Sequence, residues 1–228
     1  MRHFSFWKRL KNRLWHRNRL VGFRRYLENR INKRWFDYPF GTDPLASREK
    51  YLELAKEVAR KSYPEVDEYE RKTGYAISTP WLNELALHTQ VVIKVSPLCY
   101  AHGRILYSSL SSYLAEHPAT AQSDSITIWE TGTARGFSSL CMAKALHEQK
   151  RAGVIVTFDM LPHQTPMYWN CIDDHDGPKT RNQLLEPWCK LVENHIIFNQ
   201  GNTQLELGKV KTKRVNFAFL DGSHTYDD

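Results

Sequence analysis

The sequence predicts an α/β protein with a doubly wound, mainly parallel sheet, preceded by a helical N-terminal region. Three observations carry that prediction. From Ser125 onward, apolar runs of strand length alternate with helical patterns. The first run, Ile126-Thr-Ile-Trp-Glu130, enters a glycine-spaced turn, Thr131-Gly132-Thr-Ala-Arg-Gly136, and a helix opens at once. Three strands end on an acid: Glu130, then Asp159 after Val154-Ile-Val-Thr-Phe158, then Asp221 after Val215-Asn-Phe-Ala-Phe-Leu220. In a parallel sheet these carboxylates gather at one edge, where such folds bind their ligands.

The elements follow in order. Residues 1–36 form a basic segment, with twelve Lys/Arg against Glu28 alone. Its charge is therefore +11, and the other 192 residues of the 228 carry −4 of the overall +7. Trp7, Leu10 and Leu14, then Leu20, Phe23, Leu27 and Ile31, recur at helical spacing with arginines between them. One expected use is an anionic membrane surface, another is packing on the body or on a second copy in a homo-oligomer. Nucleic-acid contact is a weaker reading, and a transit peptide weaker still, because Ser5 is the only serine.

Residues 37–119 read as a helical region. After the turn-rich Tyr38-Pro-Phe-Gly-Thr-Asp-Pro44, a helix is expected over 47–62 with Tyr51, Leu54, Ala55 and Val58 on one face. Thr79-Pro80 opens a second helix as N-cap and first helical residue, running to Val92. A third spans about 97–116, carrying Leu98, Ile105, Leu106, Leu110 and Leu114, and stops at His117-Pro118. These helices should cover one face of the sheet.

Residues 120–228 hold the sheet: strands at 125–130, 153–159, 195–198 and 215–220, with helices at 136–150 and 181–193. Near-continuous apolar strands argue for burial on both faces. In the order 3-2-1-4 the fourth strand would lie at an edge as a long apolar run. The sheet thus reads as incomplete after strand four, with the sequence continuing in a longer protein or the edge covered by another chain.

The turn constrains the ligand. A dinucleotide pyrophosphate needs Gly-x-Gly-x-x-Gly, so that bare backbone can approach the phosphates. Here the spacing is Gly132-x-x-x-Gly136, and Glu130 just before it would repel a phosphate. A ligand cationic or zwitterionic at that end fits better. S-adenosyl-L-methionine has a sulfonium, an ammonium, a carboxylate and no phosphate. Glu130 would meet the ammonium, turn amides the carboxylate, and Asp159 the ribose hydroxyls.

Glu130-x-Gly132-x-x-x-Gly136, Asp159 and Phe219-Leu-Asp221-Gly-Ser-His224-x-Tyr226 together resemble the class I SAM-dependent methyltransferases, in the branch of small-molecule and sugar O-methyltransferases. The resemblance covers about residues 120–228 and implies a Rossmann-like sheet of the methyltransferase type. It implies that Glu130, Gly132, Thr133 and Gly136 line the methionine end, that Asp159 binds the ribose, and that Asn202 lies near the adenine. Asp221 would sit beside the transferred methyl, and in metal-dependent relatives the matching acid helps hold Mg2+. A hydroxyl acceptor must lose its proton, with Asp221 orienting and His224 accepting it. Two rival functions remain: a Rossmann-type oxidoreductase using a nucleotide, and a non-catalytic adaptor that keeps the fold and binds membrane or nucleic acid through its basic N-terminus.

Other patterns carry less. Asp173-Asp174-His175-Asp176-Gly177 puts Ile172 and Gln183 where a calcium loop needs acids, so a solvated acidic loop or a substrate-facing lid is expected instead. The ten histidines include no His-x-x-x-His pair. Ser138 and Ser139 read as helix caps, and Arg135 as an exposed turn residue. Cys99, Cys141, Cys171 and Cys189 lie far apart, which predicts buried reduced thiols and a cytoplasmic setting, with membrane association through residues 1–36.

Overall fold

The computed structural model describes residues 38–119, 125–212 and 214–222. The expectations for residues 1–36 and for His224 lie outside the described residues. The chain divides at Phe40–Gly41, and the fold described below belongs to the second unit, Gly41–Asp228.

Among the described residues four helices precede the sheet: α1 Arg48–Ala59, α2 Pro64–Thr73, α3 Thr79–Thr89 and α4 His102–Glu116. Ser47 caps α1 by accepting from the Lys50 amide at 3.3 Å, and Tyr51 and Val58 are buried on its inner face. The start of α3 differs from expectation. Ser78 is its N-cap and Thr79 and Pro80 are the first two helical residues. Helix α2 was not expected. It opens on Pro64, closes on a left-handed Gly74, and is charged around most of its surface. Its buried Glu70 pairs with Arg104 of α4 at 2.9 Å. Val66 alone joins it as a buried residue, so the apolar stripe by which amphipathic helices are recognised is too short to read.

The sheet contains β1 Ile126–Thr131, β2 Gly153–Asp159, β3 Ile196–Gln200 and β4 Phe217–Leu220. All pairings are parallel and the order is β3-β2-β1-β4, a Rossmann-like arrangement. Helix α5, Phe137–Glu148, crosses from β1 to β2. The expected helix over 181–193 is broken into α6 Arg181–Leu184, a 3-10 turn at Glu186–Trp188 and α7 Cys189–His195. Pro187, which cannot donate to a helical ladder, sits at the break. A last short helix, α8, spans Thr203–Glu206.

One core joins α1, α3, α4 and α5 to the inner face of the sheet through Tyr51, Leu85, Leu110, Ile128, Leu140 and Ile155, all fully buried. The other face is more open than continuous apolar strands predict. Ile197 is 52% and Leu220 72% exposed. Cysteine burial is likewise mixed, with Cys141 and Cys171 inside and Cys99 and Cys189 on the surface. No helix among the described residues is long and apolar enough to cross a membrane.

Between β2 and β3 the chain makes a long excursion that packs on α1 and α3. Asn170, left-handed at φ 54°, accepts from the Tyr51 hydroxyl and the Ile93 amide and donates to the Ile93 carbonyl. The acidic loop is a 3-10 turn, Ile172–Asp176, whose acids serve this packing. Asp174 accepts from the Trp169 amide at 2.7 Å, Asp173 binds His88 and Lys179, and Asp176 binds Arg48. Burial raises the pKa of Asp173, but the His88 and Lys179 bonds outweigh it and hold the carboxyl below its ordinary range. A freely solvated loop is therefore incorrect, since all three of its acids have partners and only Asp176 is exposed.

Candidate active site

The glycine turn is built by the two strands that flank β1. Past Thr131 the ladder continues into the turn, where the amides of Gly132 and Thr133 donate to the Phe158 carbonyl at 2.9 and 3.4 Å. On the opposite side the Asp221 amide donates to the Thr131 carbonyl at 3.1 Å. Gly132 has φ +84°, and a Cβ there would lie 1.9 Å from the Asp221 carbonyl oxygen. Any side chain would drive β4 away, so the first glycine brings the turn and the third acid together. Gly136, at φ +88°, is the left-handed N-cap of α5.

Asp159 closes the turn from the other side. Its Oδ2 accepts from the Ala134 amide and its Oδ1 from the Leu161 amide, each at 2.6 Å. Each oxygen keeps acceptor capacity, since a carboxylate offers about four lone-pair sites. The Gly201 amide donates to the Asp159 carbonyl at 2.8 Å. This brings Asn202 to the same edge, where its carbonyl accepts from the Leu205 and Glu206 amides and starts α8. Glu130, Gly132, Thr133, Gly136, Asp159, Asn202 and Asp221 thus occupy one end of the sheet.

Two of them face inward. Glu130 is fully buried, and its two carboxylate oxygens accept from the hydroxyls of Ser138 and Ser139. Burial raises its pKa, and those two hydroxyls with Thr157 oppose the rise. The serines therefore bind this buried acid, and the expectation that they cap α5 is corrected: Gly136 is the N-cap, with no side-chain bond. Thr133 is 1% exposed and its hydroxyl pairs with that of Thr157. Its side chain belongs to the β1–β2 seam, leaving only its backbone for a ligand.

Three residues beside the turn were misplaced or missed by the sequence. Arg135, expected on the surface, is buried, and its Nε donates to the Trp169 carbonyl. Arg181 is fully buried and its Nε donates to the Ala134 carbonyl at 3.0 Å. Its Nη1 donates to Nδ1 of His163, and its guanidinium lies over the rings of Trp169 and Phe198 at 5.5 and 5.4 Å. His102, the first residue of α4, stacks on Phe219 of β4 and meets Phe137 edge-on at 5.0 Å. Burial lowers its basicity, while the charge of Asp221 raises it. Among the described residues, no group of three or more His, Cys, Asp or Glu side chains could hold a metal ion. The expected Mg2+ at Asp221 thus has no supporting donor set there.

Residues 129–228 match the family described as a methyltransferase domain. That stretch is similar to the family over less than half of the chain, and it carries the sheet with its β3-β2-β1-β4 order. No curated protein matches the sequence. Among solved structures, the SAH-bound methyltransferase PaMTH1 of Podospora anserina is similar at 13% identity and a TM-score of 0.37. The match covers 80% of this chain and 61% of that one.

Proposed function

We propose that this chain binds S-adenosyl-L-methionine at the turn and transfers its methyl group to a hydroxyl of a small molecule or sugar. The convergence of Asp159 and Asp221 on opposite sides of the Gly132 turn carries this reading. In it, Asp159 shares its free lone pairs with the ribose, and the backbone of Gly132, Thr133 and Gly136 receives the methionine end. Glu130 acts as a buried negative charge beneath the ammonium, and Asn202 borders the adenine. Methyl transfer is an in-line displacement at a cationic sulfur, so the protein contributes mainly alignment. Asp221 orients the acceptor.

The proton of the acceptor goes to His224 or His102. His102 enters this reading because it packs between Phe137 at the start of α5 and Phe219 of β4, two residues before Asp221. Methyl transfer by His102→Ala and His224→Ala, measured over a panel of hydroxylated acceptors, separates them. The residue that acts as base should lose about a hundredfold in rate. Full activity in either variant removes that residue from the role.

Calorimetric titration with S-adenosylhomocysteine tests the cofactor, with NAD as control and with Asp159→Ala as variant. Binding of S-adenosylhomocysteine that is lost in the variant supports the methyltransferase reading. Binding of NAD instead would favour an oxidoreductase, and binding of neither by a folded chain would favour the adaptor.

A further inference from the structure

We propose that Arg181 is a positioning residue of the cofactor turn: together with Asp159 it holds the Ala134 peptide from both ends, and so sets the cradle of amides that the cofactor enters. This rests on the reading of the turn as the cofactor site. Ala134 has φ +45°, a left-handed conformation in which a residue with a Cβ is strained. Glycine would adopt it freely, but the chain has alanine here. The conformation must therefore be imposed by the surroundings, and the two restraints are visible. The Ala134 amide donates to Asp159 at 2.6 Å, and its carbonyl accepts from Arg181 at 3.0 Å.

Arg181 is built for that task. It is 0% exposed, and its polar partners are two carbonyls, Ala134 and Leu161, and the imidazole of His163. A buried guanidinium bonded to neutral groups is costly unless something else depends on it. Its charge is supported at longer range by Asp159 and Glu130, the two acids at the turn. The rings of Trp169 and Phe198 hold it in place. The contact is also reciprocal. Arg135 reaches from the turn to the Trp169 carbonyl in the excursion, while Arg181 reaches from the excursion back to Ala134. The excursion between β2 and β3 thereby fixes the turn without itself having to touch the ligand.

The test compares wild type, Arg181→Met and Arg181→Lys by S-adenosylhomocysteine titration and by amide hydrogen exchange of the 131–136 segment. Lysine keeps the charge but cannot reach both carbonyls and His163 together. Affinity should fall about tenfold in Arg181→Met and about threefold in Arg181→Lys. Exchange should accelerate in the turn while the sheet stays protected. Should Arg181→Met fail to fold, Arg181→Lys decides alone. Wild-type binding with both folded variants within about twofold and unchanged turn exchange would overturn the proposal. Failure of the wild type to bind S-adenosylhomocysteine is a different result: it removes the cofactor reading, and this proposal with it.

Discussion

At the scale of single residues, His163 shows what the buried arginine does to its neighbours. Its Nδ1 accepts from Arg181, so the neutral ring carries its proton on Nε2, which is buried with no partner. Burial and the adjacent guanidinium together push its pKa down from 6.5 to about 4. Between those values the unfolded chain binds a proton that the folded chain refuses. Stability must then fall as pH is lowered from 6.5 towards 4. Thermal unfolding between these limits should show a shallower decline for His163→Gln than for wild type. Equal slopes would mean that the imidazole is not held neutral by its surroundings. The contrast with the acids explains what could be read early. Acids at the ends of apolar strands have positions fixed by strand length, so Glu130, Asp159 and Asp221 stood out in the sequence. Arg181 follows Thr180 in a short helix, and nothing in its neighbours distinguishes a buried guanidinium from an exposed one.

At the scale of elements, legibility follows the source of each element's stability. β2 has the expected bounds, Gly153–Asp159, because an apolar run between Gly and Asp leaves little freedom. Helix α1 matches through its Ser47 cap and its Tyr51–Val58 face. Helix α2 escaped notice because its buried residues are Val66 and Glu70, and the partner of Glu70, Arg104, lies on a different helix. Periodicity registers apolar faces and cannot register an ion pair closed across 34 positions. The excursion escaped for a related reason. Its order comes from Asn170, Asp173 and Asp174, polar residues whose partners are Ile93, His88 and backbone amides. An acidic run of that kind is normally a solvated loop, and only the approach of α1 and α3 changes its character. The roles of Ser138 and Ser139 moved in the same way: local chemistry suggested caps, and the buried Glu130 beside them claimed both hydroxyls.

At the scale of the whole molecule, charge is unevenly divided along the sequence. The first 36 residues carry +11 and the rest −4. Twelve basic side chains against one acid suit an anionic partner, and we propose a membrane surface. Its apolar residues recur at helical spacing and include Trp7 and Phe23, side chains suited to the headgroup level of a bilayer. Each Lys or Arg near an anionic surface contributes about 1 kcal/mol, and even a fraction of twelve suffices for strong binding. We therefore expect the full chain to sediment with vesicles containing phosphatidylserine and to stay in solution with purely zwitterionic vesicles. Raising the salt to about 1 M, where screening acts within roughly 3 Å, should weaken that binding, and Arg24→Glu with Arg25→Glu should weaken it further. The apolar residues give the expectation its second half: Trp7 fluorescence should shift to the blue on vesicles and not on duplex DNA. A shift on DNA, or binding indifferent to lipid charge, would transfer the segment from a membrane to another partner.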